Sequence, residues 1–74
     1  MEKSKDFKEF LWEADRFYEG GERQKAIVYY DRALSLDPNQ SNVYDKKGNA
    51  LMAMKKYKEA VKSYNKAISL NPSR

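Results

Sequence analysis

An all-α chain of two helical hairpins in tandem is the fold class this sequence predicts, on three observations. The first is a repeat. Subtracting 34 from Tyr44, Gly48, Leu51, Ala60, Val61, Tyr64, Ala67, Ile68, Leu70 and Pro72 lands on Phe10, Ala14, Phe17, Ala26, Ile27, Tyr30, Ala33, Leu34, Leu36 and Pro38. The pairs match in size class and four of those before the prolines are identical, which marks tandem structural units. The second is that apolar residues recur three and four apart within each unit, the spacing of one helical face. The third is that Gly20-Gly21, Asp37-Pro38 and Asn71-Pro72 interrupt those stripes with residues that end helices.

Each element follows from local chemistry. Asp6, with Glu9 three residues on, reads as a capping box in its acidic variant. Behind it Phe7, Phe10, Leu11, Ala14, Phe17 and Tyr18 form one stripe, so the spacing predicts a first helix from about Phe7 to Glu19, ended by Gly20-Gly21. The second helix carries Ala26, Ile27, Tyr30, Ala33 and Leu34, and the short connection from Gly20 to Glu22 makes it antiparallel to the first. Asp37-Pro38 stops it, because proline lacks an amide hydrogen and disfavours helical geometry in the residue before it.

Ser41 or Asn39 can cap the third helix, whose stripe is Val43, Tyr44, Gly48, Leu51 and Met52. Its end, Met54-Lys55-Lys56, has no glycine, and a turn before Tyr57 is predicted there by the repeat offset alone. The fourth helix carries Ala60, Val61, Tyr64, Ala67 and Ile68 and ends at Asn71-Pro72. Ala14 and Gly48 lie mid-helix on the stripe, with Ala26, Ala33, Ala60 and Ala67 on the facing ones. Small residues there let the helices approach closely, while Phe17, Tyr30, Leu51 and Tyr64 fill the space beside them. The expected organisation is one domain: a flexible segment over residues 1–6, a first repeat over 7–40 and a second over 41–74.

Composition narrows the chemistry. With no Cys and no His there are no disulfides, no thiolate nucleophile and no imidazole ligand, and the carboxylates are scattered beside Lys or Arg. No glycine loop cradles phosphate and no nucleophile has a recognisable base, so the chain reads as non-catalytic, with no cofactor and no metal. The N-terminus lacks the apolar run of a signal peptide, and no stretch approaches the roughly 20 apolar residues of a membrane span. The expectation is a soluble cytoplasmic protein. Its net charge of +4 is unevenly spread: residues 1–40 carry −2 and residues 41–74 carry +6. That asymmetry predicts an acidic partner for the second repeat. Lys58, Lys62 and Lys66, four apart, read as the solvated outward face of the fourth helix. No aromatic is interleaved with them, as a nucleic-acid surface would require.

The skeleton aromatic, three residues, Gly or Ala, two residues, aromatic or Leu, then Ala, three residues, Tyr, two residues, Ala and Pro resembles the tetratricopeptide repeat over residues 7 to 74. Glu13 and Lys47 depart from it where Leu is common, Arg23 where Tyr is common, and Lys55 where Gly21 suggests a turn glycine. The departures bear on packing and on the tightness of the turns. The resemblance implies two hairpins stacked as a short right-handed superhelix, with the first helix of each repeat lining a groove for an extended peptide or partner helix. The groove positions it implies are Lys8, Leu11, Trp12, Asp15 and Glu19 on the first helix, and Asn42, Asp45, Lys46, Asn49, Met52 and Ala53 on the third. Two readings of Trp12 stand: an aromatic anchor for the peptide, or a shield over the open end of a small core. The carboxylate-gripping subtype is excluded, since Leu11, Asp15 and Lys46 occupy places where it uses Lys, Asn and Asn.

A repeat array covers each apolar face with its neighbour. Two repeats should therefore leave parts of Val61, Tyr64, Ile68 and Leu70 uncovered. The alternative function is accordingly self-association through this end, either of a structural module or of a piece of a longer or designed array.

Overall fold

The computed structural model describes residues 5–72, which form four helices: α1 (Phe7–Glu19), α2 (Arg23–Leu36), α3 (Ser41–Ala53) and α4 (Tyr57–Leu70). Helices α1 and α2 pair as one hairpin, α3 and α4 as another, and α2 packs against α3 to join them. The result is elongated, 41 × 27 × 16 Å. Residues 1–4 of the expected flexible segment lie outside the described residues, and its last residue, Asp6, is the N-cap of α1. Both halves of the predicted capping box form: Asp6 Oδ1 accepts from the Glu9 amide at 2.9 Å, and the Glu9 carboxylate accepts from the Asp6 amide at 3.4 Å.

The core has two centres. Ala14, Ala26, Tyr30, Leu34 and Val43 form the first, and Ile27, Ala50, Leu51 and Ala60 the second. Val43 of the second hairpin inserts among residues of the first, and Ile27 of the first among residues of the second. The two repeats therefore share their burial. Ala50, absent from the predicted stripe, is fully buried, whereas Met52, placed on it, is exposed.

Both hairpin turns have the same construction. At the first, the Glu22 amide donates to the Phe17 carbonyl at 2.8 Å and the Gly21 amide to the Tyr18 carbonyl at 3.1 Å. At the second, Lys56 donates to Leu51 at 2.9 Å and Lys55 to Met52 at 2.9 Å. Each set is a Schellman closure, which puts one residue in the left-handed region. Gly21 takes that place with φ 84°, and Lys55 takes it with φ 63°. The turn that lacks a glycine is thus as tight as the one that has it, at the expense of a side chain in a disfavoured conformation. Lys55→Gly is expected to raise stability by about 1 kcal/mol in thermal or urea unfolding. A variant no more stable than the parent would show that this conformation carries no penalty.

The predicted cap of α3 is corrected. The N-cap is Gln40, with no side-chain capping bond, and Ser41 is already the first helical residue. Asp37 takes over the local polar work. Its carboxylate accepts from the Asn39 amide at 3.4 Å and from Gln40 Nε2 at 2.7 Å, holding the link between the repeats as an Asx turn.

Candidate functional site

Asp15 ties three helices together on one side of the molecule. Tyr30 of α2, almost fully buried, donates its hydroxyl to Asp15 Oδ1 at 2.7 Å, and Lys46 of α3 donates to Asp15 Oδ2 at 3.0 Å. Burial, then the hydrogen bond to Asp15, pushes the Tyr30 phenol well above its usual range, so it stays a neutral donor. The second repeat duplicates the bond at the same offset, with the Tyr64 hydroxyl donating to Asn49 Oδ1 at 2.5 Å. An amide stands where the first repeat has a carboxylate.

Two open hollows adjoin these bonds. Asp15, Tyr18, Glu19, Tyr30, Lys46 and Asn49 line one of about 260 Å³, and Asp45, Asn49, Tyr64 and Ile68 line one of about 350 Å³. Asn49 belongs to both, so together they make a line along α1 and α3. With its oxygen taken by Tyr64, Asn49 still presents an amide N–H to a ligand carbonyl.

Of the residues implied for the groove, Asp15, Glu19, Asp45, Lys46 and Asn49 are brought together here. Tyr18 joins them and had been placed on the apolar stripe. Its spacing from Leu11 and Asp15, seven and three residues, is the signal that could have found it. Leu11 packs half-buried against the first core centre. Ala53 lies at the turns, in a hollow with Gly21, Glu22 and Met54, while Lys8, Asn42 and Met52 are exposed and line none of the hollows described.

Trp12, 59% exposed, lies elsewhere, lining a hollow of about 430 Å³ with Glu13, Arg16, Phe17, Gly20 and Glu22. The guanidinium of Arg16 stands 4.9 Å from the ring centroid. The repeat offset explains the separation. The counterparts of Trp12 and Glu13 are Lys46 and Lys47, which reach back to the first repeat and pair with Asp15 at 3.0 Å and Asp31 at 2.7 Å. Trp12 and Glu13 therefore point to the side before the first repeat, away from the line through Asn49.

At the other end, Val61 is 52% and Ile68 55% exposed, whereas their counterparts Ile27 and Leu34 are each 7% exposed beneath α3. Tyr64 and Leu70 are half-buried. Lys62 and Lys66 face a further hollow, on the side of α4 away from Tyr64. Among the described residues, no helix is long and apolar enough to cross a membrane, and no group of three or more carboxylates is placed to hold a metal ion.

Two family models match the chain: one described as TPR repeat over residues 14–55, and one described as tetratricopeptide repeat over residues 46–74. Among curated proteins, the chain is similar to a tetratricopeptide repeat and J domain-containing co-chaperone of Fusarium oxysporum, 32% identical over 62 residues. That match covers 84% of this chain and 12% of the relative. It is similar to tetratricopeptide repeat protein 12 of Mus musculus, 39% identical over 59 residues, covering 80% and 8%. It is also similar to a mitochondrial import receptor subunit of Homo sapiens, 32% identical over 63 residues, covering 78% and 10%. The chain thus spans about a tenth of the length of the curated relatives it matches.

Proposed function

The chain belongs to the tetratricopeptide repeat family, and from that premise we propose that it is a non-catalytic protein-interaction module whose groove holds an extended peptide of a partner protein. The observation that carries this reading is the line of two hollows that share Asn49, walled by side chains of α1 and α3 with buried Tyr30, half-buried Tyr64 and exposed Ile68. Its polar groups are held in place by bonds to Tyr30, Tyr64 and Lys46, so a ligand meets a site already ordered, which lowers the entropic cost of binding. Lys62 and Lys66 do not face this line. The acidic partner that the second repeat's charge predicts is therefore better suited to the other side of α4 than to the groove.

A second reading, self-association, is favoured by the exposure of Val61 and Ile68. Head-to-tail stacking of copies fits it poorly. By the offset, α1 of a second copy would put Glu9 and Arg16 where Val43 and Ala50 are fully buried. Burying those charges unpaired costs several kcal/mol.

One experiment separates the readings. A peptide selected from a random library against the parent chain is measured on variants by fluorescence anisotropy, with molar mass followed by light scattering on the same samples. Asn49→Ala and Lys46→Ala are each expected to weaken binding roughly tenfold, about 1.4 kcal/mol, and Trp12→Ala less than twofold. The mass is expected to remain that of an 8.7 kDa monomer. Unchanged affinity in both groove variants would defeat the groove reading. A concentration-dependent doubling of mass, abolished by Ile68→Asp, would move the function to the apolar end.

A further inference from the structure

The outer side of the second repeat has a hollow where the first repeat has a ring. Its floor is Tyr44, Leu51 and Ser63; its rim is Lys47, Lys62, Lys66 and Glu59; its volume is about 280 Å³. At the repeat offset, Tyr44 corresponds to Phe10, Leu51 to Phe17, Ser63 to Tyr29 and Lys66 to Arg32. In the first repeat the Tyr29 ring fills this place. It lies 6.1 Å from Phe10 and 5.1 Å from Phe17 between centroids, with the Arg32 guanidinium 4.7 Å from its own centroid. In the second repeat Ser63 is too short to do so. It turns its hydroxyl to the Tyr44 carbonyl at 2.7 Å, and the apolar walls stay open between lysines.

We propose that this hollow is a second binding site, which receives an aromatic side chain from an acidic segment of a partner protein. The ring enters where Tyr29 stands in the first repeat, against Tyr44 and Leu51, and Lys66 meets its face as Arg32 meets Tyr29. Carboxylates beside the ring meet Lys62 and Lys66, on a rim that carries three lysines to one glutamate. Lys47 is already engaged by Asp31 at 2.7 Å and keeps the wall nearest the first repeat in position.

A nucleotide also combines a ring with an anion, but the walls argue for a side chain. The internal template holds its ring edge-on and tilted, at 63° to Phe10 and 55° to Phe17, and a base stacks on a flat aromatic platform instead. The site is separate from the groove, and its test does not depend on groove binding.

The test is a titration of the 15N-labelled chain with the peptide Glu-Glu-Tyr-Glu-Glu, blocked at both ends, to millimolar concentration and followed by amide chemical shifts. Saturable shifts are expected at Tyr44, Ser63 and Lys66, with the Tyr-to-Ala peptide at least tenfold weaker. Lys66→Glu, at an exposed position, should weaken the tyrosine peptide at least tenfold with the spectrum of a folded chain. Ser63→Tyr, which supplies the missing ring from within, should abolish binding. The proposal is overturned by equal affinity for the Tyr and Ala peptides, by no loss in Lys66→Glu, or by shifts confined to α1. It is equally overturned if an oligothymidine binds this hollow more tightly than the peptide.

Discussion

Truncating Tyr30 to alanine is expected to leave the chain largely unfolded at 25 °C. The ring is almost wholly buried in the core centre that Ala14, Ala26, Leu34 and Val43 complete, and deleting a buried aromatic costs about 3–5 kcal/mol. A core of this size rarely supplies more than about 3–5 kcal/mol in all. Circular dichroism should show most of the helical signal gone, and a cooperative melt above 40 °C would refute the expectation. Tyr30→Phe keeps the ring and removes only the bond to Asp15, which is still held by Lys46. It should cost about 1 kcal/mol.

The same pair of proteins yields a pH test whose sign can be worked out. Burial and the Asp15 bond raise the phenol's pKa in the folded chain, while an unfolded tyrosine titrates near 10. Below about pH 10 both states hold the proton and the full stabilisation is present. Above it the unfolded chain releases the proton first, so stability falls as pH rises towards the folded value. Urea midpoints between pH 9 and 11.5 should fall more steeply for the parent than for Tyr30→Phe, since the other tyrosines and the lysines are common to both. Parallel curves would mean that Tyr30 is not held protonated by the fold.

Helix limits were legible because they are written in local chemistry. The capping box at Asp6 and the breaks at Gly20-Gly21 and Pro38 each act on their own few residues. The turn at Lys55 had no such signal and was legible only through the repeat, which transmits the conformation of Gly21 to a residue that does not favour it. The cap of α3 was missed because the helix is entered at Ser41, which makes Gln40 the N-cap, and the Gln40 side chain turns back to Asp37 instead of capping. The candidate site was less legible, for a reason of geometry. Helical periodicity gives the direction of a side chain about its own axis and says nothing about what stands opposite. Trp12 and Asp15 are near neighbours on α1, yet one points to the side before the first repeat and the other joins Tyr30 and Lys46. The outer hollow needed a comparison across repeats, Tyr29 against Ser63, that a skeleton of matching positions leaves out.

Gly48 offers the sharpest test of how closely the helices approach. A glycine inside a helix is destabilising by about 1 kcal/mol relative to alanine, so helix propensity alone predicts that Gly48→Ala stabilises the chain. The packing predicts the reverse. A Cβ at this position would stand 2.6 Å from Tyr64 Cε1, 2.8 Å from Cδ1 and 3.0 Å from Cζ, so the ring has to shift, which disturbs its bond to Asn49 and its packing against the second core centre. Overpacking typically costs about 1–3 kcal/mol, which decides the sign: Gly48→Ala should lose about 1 kcal/mol net, and Gly48→Leu about 3 kcal/mol or more, near the whole stability of the domain. Urea unfolding of both variants checks the magnitudes, and a double-mutant cycle with Tyr64→Ala checks the cause. Once the ring is gone, Gly48→Ala should become stabilising by about 1 kcal/mol, a coupling of about 2 kcal/mol between the two sites. If Gly48→Ala already stabilises the parent, then Tyr64 moves aside freely. In that case the wall it forms with Asn49 is adaptable, and the proposed groove should admit peptides there by shape less strictly than the ordered hydrogen bonds suggest.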